Sequence, residues 1–332
     1  MSSPPPATRP VGALPGRTLF VGLGRMGAPM VRRYAATRPT VVHDADAATT
    51  QRVAAASGAT PLPSLDALPD LDGSPIDVVV LVLPTSTIVE QVLLADGVLD
   101  TLAPGALVVD IGSSVPASTR RLAALAAQRG IGYVDAPVSG GVARAETGEL
   151  AIMVGGEPDH VRAARPHLEP LGTTIVPVGP AGSGHAAKAL NNLLSATQLA
   201  AAAEVLSVAQ RAGIEPAVML DVLNSSTGRS QATEVKYPRH VLTGTFASGF
   251  ELELMVKDLS IAADLADQLG STIPVTSAAV ELARSARAHL AATGTERPDH
   301  TALVTYVEHV NTTSLRATTT DPAPAHDERT PR

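Results

Sequence analysis

Val21-Gly22-Leu23-Gly24-Arg25-Met26-Gly27 is the stretch whose reading decides the fold. It closes a short apolar run, residues 18–22, and opens a helical pattern over residues 26–36, so glycines at G-x-G-x-x-G spacing lie between a strand and a helix. Each glycine answers a different steric demand. Gly22 permits a tight turn, Gly24 lets a pyrophosphate approach the backbone, and Gly27 lets the helix pack close to the strand. Leu23, Arg25 and Met26 complete the turn, where the unpaired N–H groups and positive end of the helix face the phosphates. Glycine-rich turns are common, so the motif draws its weight from what surrounds it.

The next apolar run, Val41-Val42-His43-Asp44, ends on a carboxylate 20 residues after Gly24. There a carboxylate accepts hydrogen bonds from both adenosine ribose hydroxyls and repels a 2′-phosphate, and Ala45 offers no guanidinium to bind one. The expected cofactor is NAD rather than NADP; the plainer account of Asp44 is a turn residue at a strand end. Further apolar runs at 78–83, 107–110 and 133–136 are bounded by Gly, Pro, Asp or Ser, as strands buried on both faces require. Helical patterns at 87–94 and 116–129 lie between them, and the alternation implies a doubly wound, mainly parallel α/β sheet, a Rossmann domain.

Near Gly182 the pattern changes. Between Gly184 and Ala212 the chain carries neither Pro nor Gly and is rich in Ala and Leu, a helix of roughly 40 Å. Only helical patterns follow, at 216–223, 251–268 and 277–292. The expected organisation is a tail over 1–16, a dinucleotide domain over 17–181, an all-α domain over 182–315 entered through an interdomain helix at 182–212, and a second tail over 316–332. The tails hold Pro, Thr and charge without periodicity.

Composition removes several function classes. Aromatic residues make up 2% of the 332 residues and Trp is absent, so aliphatic side chains fill the cores and no stacking platform for single-stranded nucleic acid is expected. A net charge of -7 gives no attraction toward phosphate backbones or anionic lipid. With no cysteine, disulfides, thiolate metal sites and cysteine nucleophiles are excluded. The nine histidines form no HExxH or comparable spacing, so no metal is expected. Residues 1–16 lack the apolar core of a signal peptide, and no run of about 18 uninterrupted apolar residues follows. A cytoplasmic protein without a membrane or nucleic-acid partner is the expectation.

Four more segments complete a pattern: Leu83-Pro84, Asp135-Ala136-Pro137-Val138-Ser139-Gly140-Gly141, Gly182-Ser183-Gly184-His185-Ala186-Ala187-Lys188-Ala189-Leu190-Asn191-Asn192, and Lys257-Asp258-Leu259. Together with the glycine turn, from about Thr18 to about Val310, they make the sequence similar to the β-hydroxyacid dehydrogenase family, which includes 3-hydroxyisobutyrate dehydrogenase and tartronate semialdehyde reductase. The resemblance implies NAD-dependent oxidation of a small 3-hydroxy acid to its semialdehyde, or the reverse reduction. A tartronate semialdehyde reductase or sugar-acid enzyme of the same family is the nearest alternative, and a non-catalytic NAD-binding scaffold is the alternative of another class.

Such chemistry requires a hydride acceptor, a group that takes the hydroxyl proton, and donors that hold the carboxylate. Lys188 and Asn192, four apart, lie on one helix face. The resemblance makes Lys188 the general acid/base and Asn192 a substrate ligand; otherwise Lys188 is a solvated surface lysine. It likewise assigns Ser139, Gly140 and Gly141 to the substrate carboxylate, against a plain Gly-Gly turn. Ser113, in Asp110-Ile111-Gly112-Ser113-Ser114-Val115-Pro116, falls where the family usually has Thr and can reach the nicotinamide ribose; N-capping by Ser113 or Ser114 before Pro116 explains it equally well. Gly112 departs from the family's Ser. The resemblance further places Leu83, Pro84 and Lys257 near the cofactor, Phe250 and Asp258 at the closing side of the site, and Arg229 on a loop over it. His185 reads as packing or capping. The Ala/Leu-rich helices, with more apolar face than one small domain buries, imply a homodimer or homotetramer.

Overall fold

The computed structural model describes residue 11 and residues 16–68 and 75–317. Most of both expected tails therefore lies outside the described residues. Of the second, Arg316 is held by an ion pair to Glu308 (2.8 Å) and Ala317 donates to the Leu242 carbonyl (3.0 Å). The described residues divide between two compact units, one from those up to 192 together with 257–272, the other from 193–256 together with those from 273 onward.

In the first unit β1 (Arg17–Val21) is followed by α1 (Gly27–Ala35), β2 (Thr40–His43), α2 (Ala47–Ser57), β3 (Thr60–Pro61), β4 (Ile76–Leu81), α3 (Ser86–Glu90) with a wider turn over Gln91–Ala95, α4 (Val98–Thr101) and β5 (Leu107–Asp110). Then come α5 (Pro116–Gln128), β6 (Gly132–Asp135), β7 (Val138–Ser139), α6 (Gly141–Thr147), β8 (Ala151–Gly156), α7 (Pro158–Leu168) and β9 (Thr174–Gly179). Among the described residues these nine strands form one sheet in the order β3-β2-β1-β4-β5-β6-β8-β7, with β9 paired to β8. Strands β3 to β6 run parallel, while β8 meets β6 and β7 antiparallel. The order reverses at β1, so the crevice at its carboxyl end is where a doubly wound sheet binds a ligand.

The apolar runs are continuous because both faces of the sheet are covered. Phe20, Val42, Val78, Val80 and Val109 pack on one side with Met30, Val31 and Tyr34 of α1 and Leu168 of α7. Leu19, Val21, Val79, Leu81 and Val108 pack on the other with Val89, Leu93, Leu122 and Ala126. Adjacent residues of one strand thus belong to opposite cores, as the two-residue period dictates.

Helix α8 (Ser183–Arg211) runs for 29 residues. The division between units falls within it, after Asn192, rather than at Gly182. By length and composition α8 would suffice to cross a bilayer, a property hidden from a search for uninterrupted apolar runs; 56% of its most apolar window is buried inside the protein. The second unit continues with α9 (Pro216–Ser225), a wide-turned helix Ala232–Val241, the start of α10 (Leu252–Gln268), α11 (Pro274–Ala292) and α12 (Leu303–Asn311). Tyr237, Val241, Leu252, Ala283, Ala286, Leu303, Val304 and Leu315 are buried in it. Because the second half of α10 groups with 1–192, Lys257 and Asp258 belong to the unit that holds the glycine turn.

Candidate active site

At the carboxyl end of β1, Gly22 takes φ +95°, and a Cβ there would lie 2.4 Å from the Val82 carbonyl oxygen. A Cβ on Gly27 would lie 2.0 Å from the Gly22 carbonyl oxygen. Both positions therefore exclude a side chain. A Cβ on Gly24, in contrast, meets nothing within 4 Å. The open glycine, on a turn that leads into a helix with no side-chain cap, is the cradle a pyrophosphate needs. Arg25 is exposed and Met26 half-buried beside it. Asp44 closes the turn: its Oδ2 accepts from the Leu23 N–H (2.7 Å) and its Oδ1 from the Asp46 N–H (2.9 Å). Asp46 caps α2 by accepting from Ala48 and Thr49, so the carboxylate bonded to the glycine turn is that of Asp44.

The loops after β4 and β5 come together on Lys257. Its Nζ donates to the carbonyl oxygens of Pro84 (3.0 Å) and Ser113 (2.6 Å) and sits 3.1 Å from Asp258 Oδ1. Leu83 is buried beneath, its carbonyl only 2.6 Å from where a Cβ on Gly112 would stand. That contact explains the glycine at 112, where the family's serine would not fit this backbone. Asp258 is the hub of the site. Its Oδ1 accepts from Ser113 Oγ (2.7 Å) and its Oδ2 from Asn192 Nδ2 (2.6 Å). Capping does not account for the serines: Val115 occupies the N-cap of α5 without a side-chain cap, Ser113 is bound to Asp258, and Ser114 donates to Asp110 (3.3 Å).

Lys188 lies one helical turn before Asn192, partly buried, and its ammonium has no hydrogen-bond partner among the described residues. Burial lowers its pKa below the ordinary lysine value; Asp258 opposes this and Lys257 adds to it. A lysine so placed gives up its proton more easily than a solvated one. Ser139 ends β7, and Gly140 and Gly141 take φ +135° and +69°, backbone that glycine adopts readily, where the chain turns into α6. A loop of this form can hold an anion.

Phe250 belongs to the second unit, where it meets His300 edge-on with ring centroids 5.6 Å apart. Arg229, in the same unit, is exposed and pairs with Glu234 (3.6 Å). No group of three or more potential metal ligands occurs among the described residues.

Asp135 anchors the start of the long helix. Fully buried, it accepts from the backbone N–H groups of Gly182 (2.8 Å) and His185 (2.9 Å). Its partners lie 47 and 50 residues away, a separation at which no sequence signal connects them.

The comparisons with known proteins fit this arrangement. Residues 17–179 match the family described as the NAD binding domain of 6-phosphogluconate dehydrogenase, and residues 182–307 the one described as NAD-binding of NADP-dependent 3-hydroxyisobutyrate dehydrogenase. The chain is 34% identical over 312 residues to 2-(hydroxymethyl)glutarate dehydrogenase of Eubacterium barkeri, spanning 89% of this chain and 96% of that one. It is 35% identical over 273 residues to an NAD-dependent L-serine dehydrogenase of Pseudomonas aeruginosa, spanning 80% and 90%. A solved 3-hydroxyisobutyrate dehydrogenase of Mycobacterium tuberculosis with L-serine superimposes with a TM-score of 0.77 at 32% identity, covering 87% of this chain and 98% of that one.

Proposed function

Since the chain belongs to the 3-hydroxyisobutyrate dehydrogenase (β-hydroxyacid dehydrogenase) family of NAD(P)-dependent oxidoreductases acting on CH–OH groups, we propose that it interconverts a small 3-hydroxy acid and its semialdehyde, with NAD preferred over NADP. The observation that carries this reading is the α8 face on which Lys188, its ammonium without a hydrogen-bond partner among the described residues, stands one turn from an Asn192 held by Asp258. A dinucleotide held by the glycine turn and Asp44 would supply the hydride acceptor. Lys188 takes the hydroxyl proton as the carbonyl forms and returns it in the reverse direction; its lowered pKa suits it to both. Ser139 and the N–H groups of Gly140 and Gly141 hold the carboxylate, and Asn192 orients the hydroxyl-bearing end. Asp258 fixes Asn192 and Ser113 in one arrangement, and Lys257 ties together the loops beneath the cofactor. The Asp44 carboxylate beside the glycine turn supports NAD, because a 2′-phosphate there meets like charge.

We also place the protein in a homodimer or larger homo-oligomer. Leu190, Leu194, Val205 and Val208 are exposed on α8, and at 100° per residue they fall on one face; Val218 and Val222 are exposed on α9. An apolar stripe of this kind matches a second copy of itself across a two-fold axis.

A panel of 3-hydroxyisobutyrate, L-serine, 2-(hydroxymethyl)glutarate and glycerate, assayed for NADH formation, tests the reading. At least one should be oxidised, and NADP should support a lower kcat/KM than NAD. Absence of turnover on every acid, in either direction, contradicts it.

A further inference from the structure

Under the amino end of α8 lies a polar cluster that takes no part in the chemistry above. Asp110, Asp135 and His185 are each 1% exposed or less, on β5, β6 and α8. Leaving two carboxylates in such a place is costly unless each is well bonded. Asp135 meets the condition through the N–H groups of Gly182 and His185. The packing is so close that a Cβ on Gly184 would lie 2.7 Å from the Asp135 carbonyl oxygen, and one on Gly155 2.6 Å from its Oδ1. Asp110 is bonded instead to the other side of the site. Its Oδ1 accepts from the Gly112 N–H (3.0 Å), and its Oδ2 from Tyr133 Oη (3.2 Å) and Ser114 Oγ (3.3 Å).

His185 stands between them. Its Nδ1 is 2.7 Å from Thr119 Oγ1, and its Nε2 lies 3.8 Å from Asp110 Oδ2 with no hydrogen-bond partner of its own. The tautomer that turns Nε2–H toward Asp110 accepts at Nδ1 from Thr119, whose hydroxyl proton then leaves the longer contact with the Val115 carbonyl (3.3 Å). The loop held by Asp110 carries Ser113, and the helix turn held by Asp135 leads directly to Lys188.

We propose that His185 is a positioning residue that joins these two anchors, so that Lys188 and the Ser113 loop are set by one buried unit rather than by two independent ones. The His185 Nε2 stands 3.8 Å from Asp110 Oδ2 and its Nδ1 3.9 Å from Asp135 Oδ2, so the ring lies against both carboxylates without a hydrogen bond to either. The catalytic consequence rests on the function proposed above; the coupling does not.

Amide hydrogen exchange of the whole protein over residues 110–115 and 182–188 tests the coupling without any turnover. Replacing His185→Leu should speed exchange in both segments by about 10-fold or more, since each is released when the link is lost. His185→Gln, whose amide reaches toward Asp110 as Nε2 does, should leave both near wild type. His185→Asn, which keeps only the Thr119 partner, should loosen both, and these two variants decide the matter if His185→Leu does not fold. In the hydroxy-acid assay the Asn variant should lose about 10-fold in kcat, and the Gln variant should recover it. Faster exchange at 182–188 alone, or equal behaviour of Asn and Gln, overturns the proposal. A failed substrate panel with coupled exchange would instead indict the proposed reaction.

Discussion

Burial and the Lys257 ammonium both push Lys188 toward its neutral form, while Asp258 draws it back toward the charged one. The sign of each neighbour's effect is therefore testable. In the oxidation direction the neutral amine is the base, so kcat/KM falls as pH drops through the Lys188 pKa. Asp258→Asn removes the attraction, lowers that pKa further and moves the acid limb to lower pH. Lys257→Met removes the repulsion and moves it to higher pH. Profiles of kcat/KM against pH for both variants check this, even where their maximal rates also decline, and displacement in the opposite direction contradicts it. Helical spacing puts Lys188 and Asn192 on one face and the distance from Gly24 singles out Asp44, while the proposed roles of the first two come from the family resemblance. What the sequence hid is their bonding. Nothing in it tells that Asp258 serves Ser113 and Asn192 together, because those partners lie 145 and 66 residues away. Asp44, also bonded to the Leu23 N–H, should carry cofactor choice; Asp44→Ser should reduce the ratio of NAD to NADP kcat/KM by about 10-fold or more.

The glycine turn separates two demands that a motif merges. Gly27 is required by the fold, because a Cβ would strike the Gly22 carbonyl oxygen, whereas Gly24 stands in open space. Gly27→Ala should lower Tm along with cofactor affinity. Gly24→Ala should leave Tm unchanged while weakening NADH binding, read by the ligand's own fluorescence in a protein without Trp. Equal loss of Tm in both would contradict the account. Element by element, strands β1, β2, β4, β5 and β6 were visible because burial on both faces leaves unbroken aliphatic runs. The sequence reading stopped short of β8 and β9. The former is paired antiparallel with β6 and β7, and the latter contains Pro177, tolerated where no ladder donor is needed. Helix Ala232–Val241 escaped notice because Pro238 lies within it and the backbone accommodates it with wider turns.

For the molecule as a whole, the change from a parallel sheet to helices was plain in the sequence, since the Pro- and Gly-free stretch after Gly184 has no other physical reading. The grouping of 257–272 with the sheet was not, because hydrophobic period identifies an element without revealing its neighbours. On the exposed stripe of α8, Val208 is 66% accessible and would be covered in the proposed homo-oligomer. Val208→Glu together with Leu194→Glu should convert the assembly to monomers in sedimentation velocity, with the helical content kept. A wild-type monomer at micromolar concentration would refute the assembly.

Everything said about the reaction depends on the amine of α8. The most direct test compares wild type with Lys188→Ala at saturating NAD and oxidisable hydroxy acid, with NADH affinity titrated in parallel. The account predicts a kcat lower by about 10²–10⁴-fold and an unaltered NADH dissociation constant. A variant that turns over at the wild-type rate would contradict it.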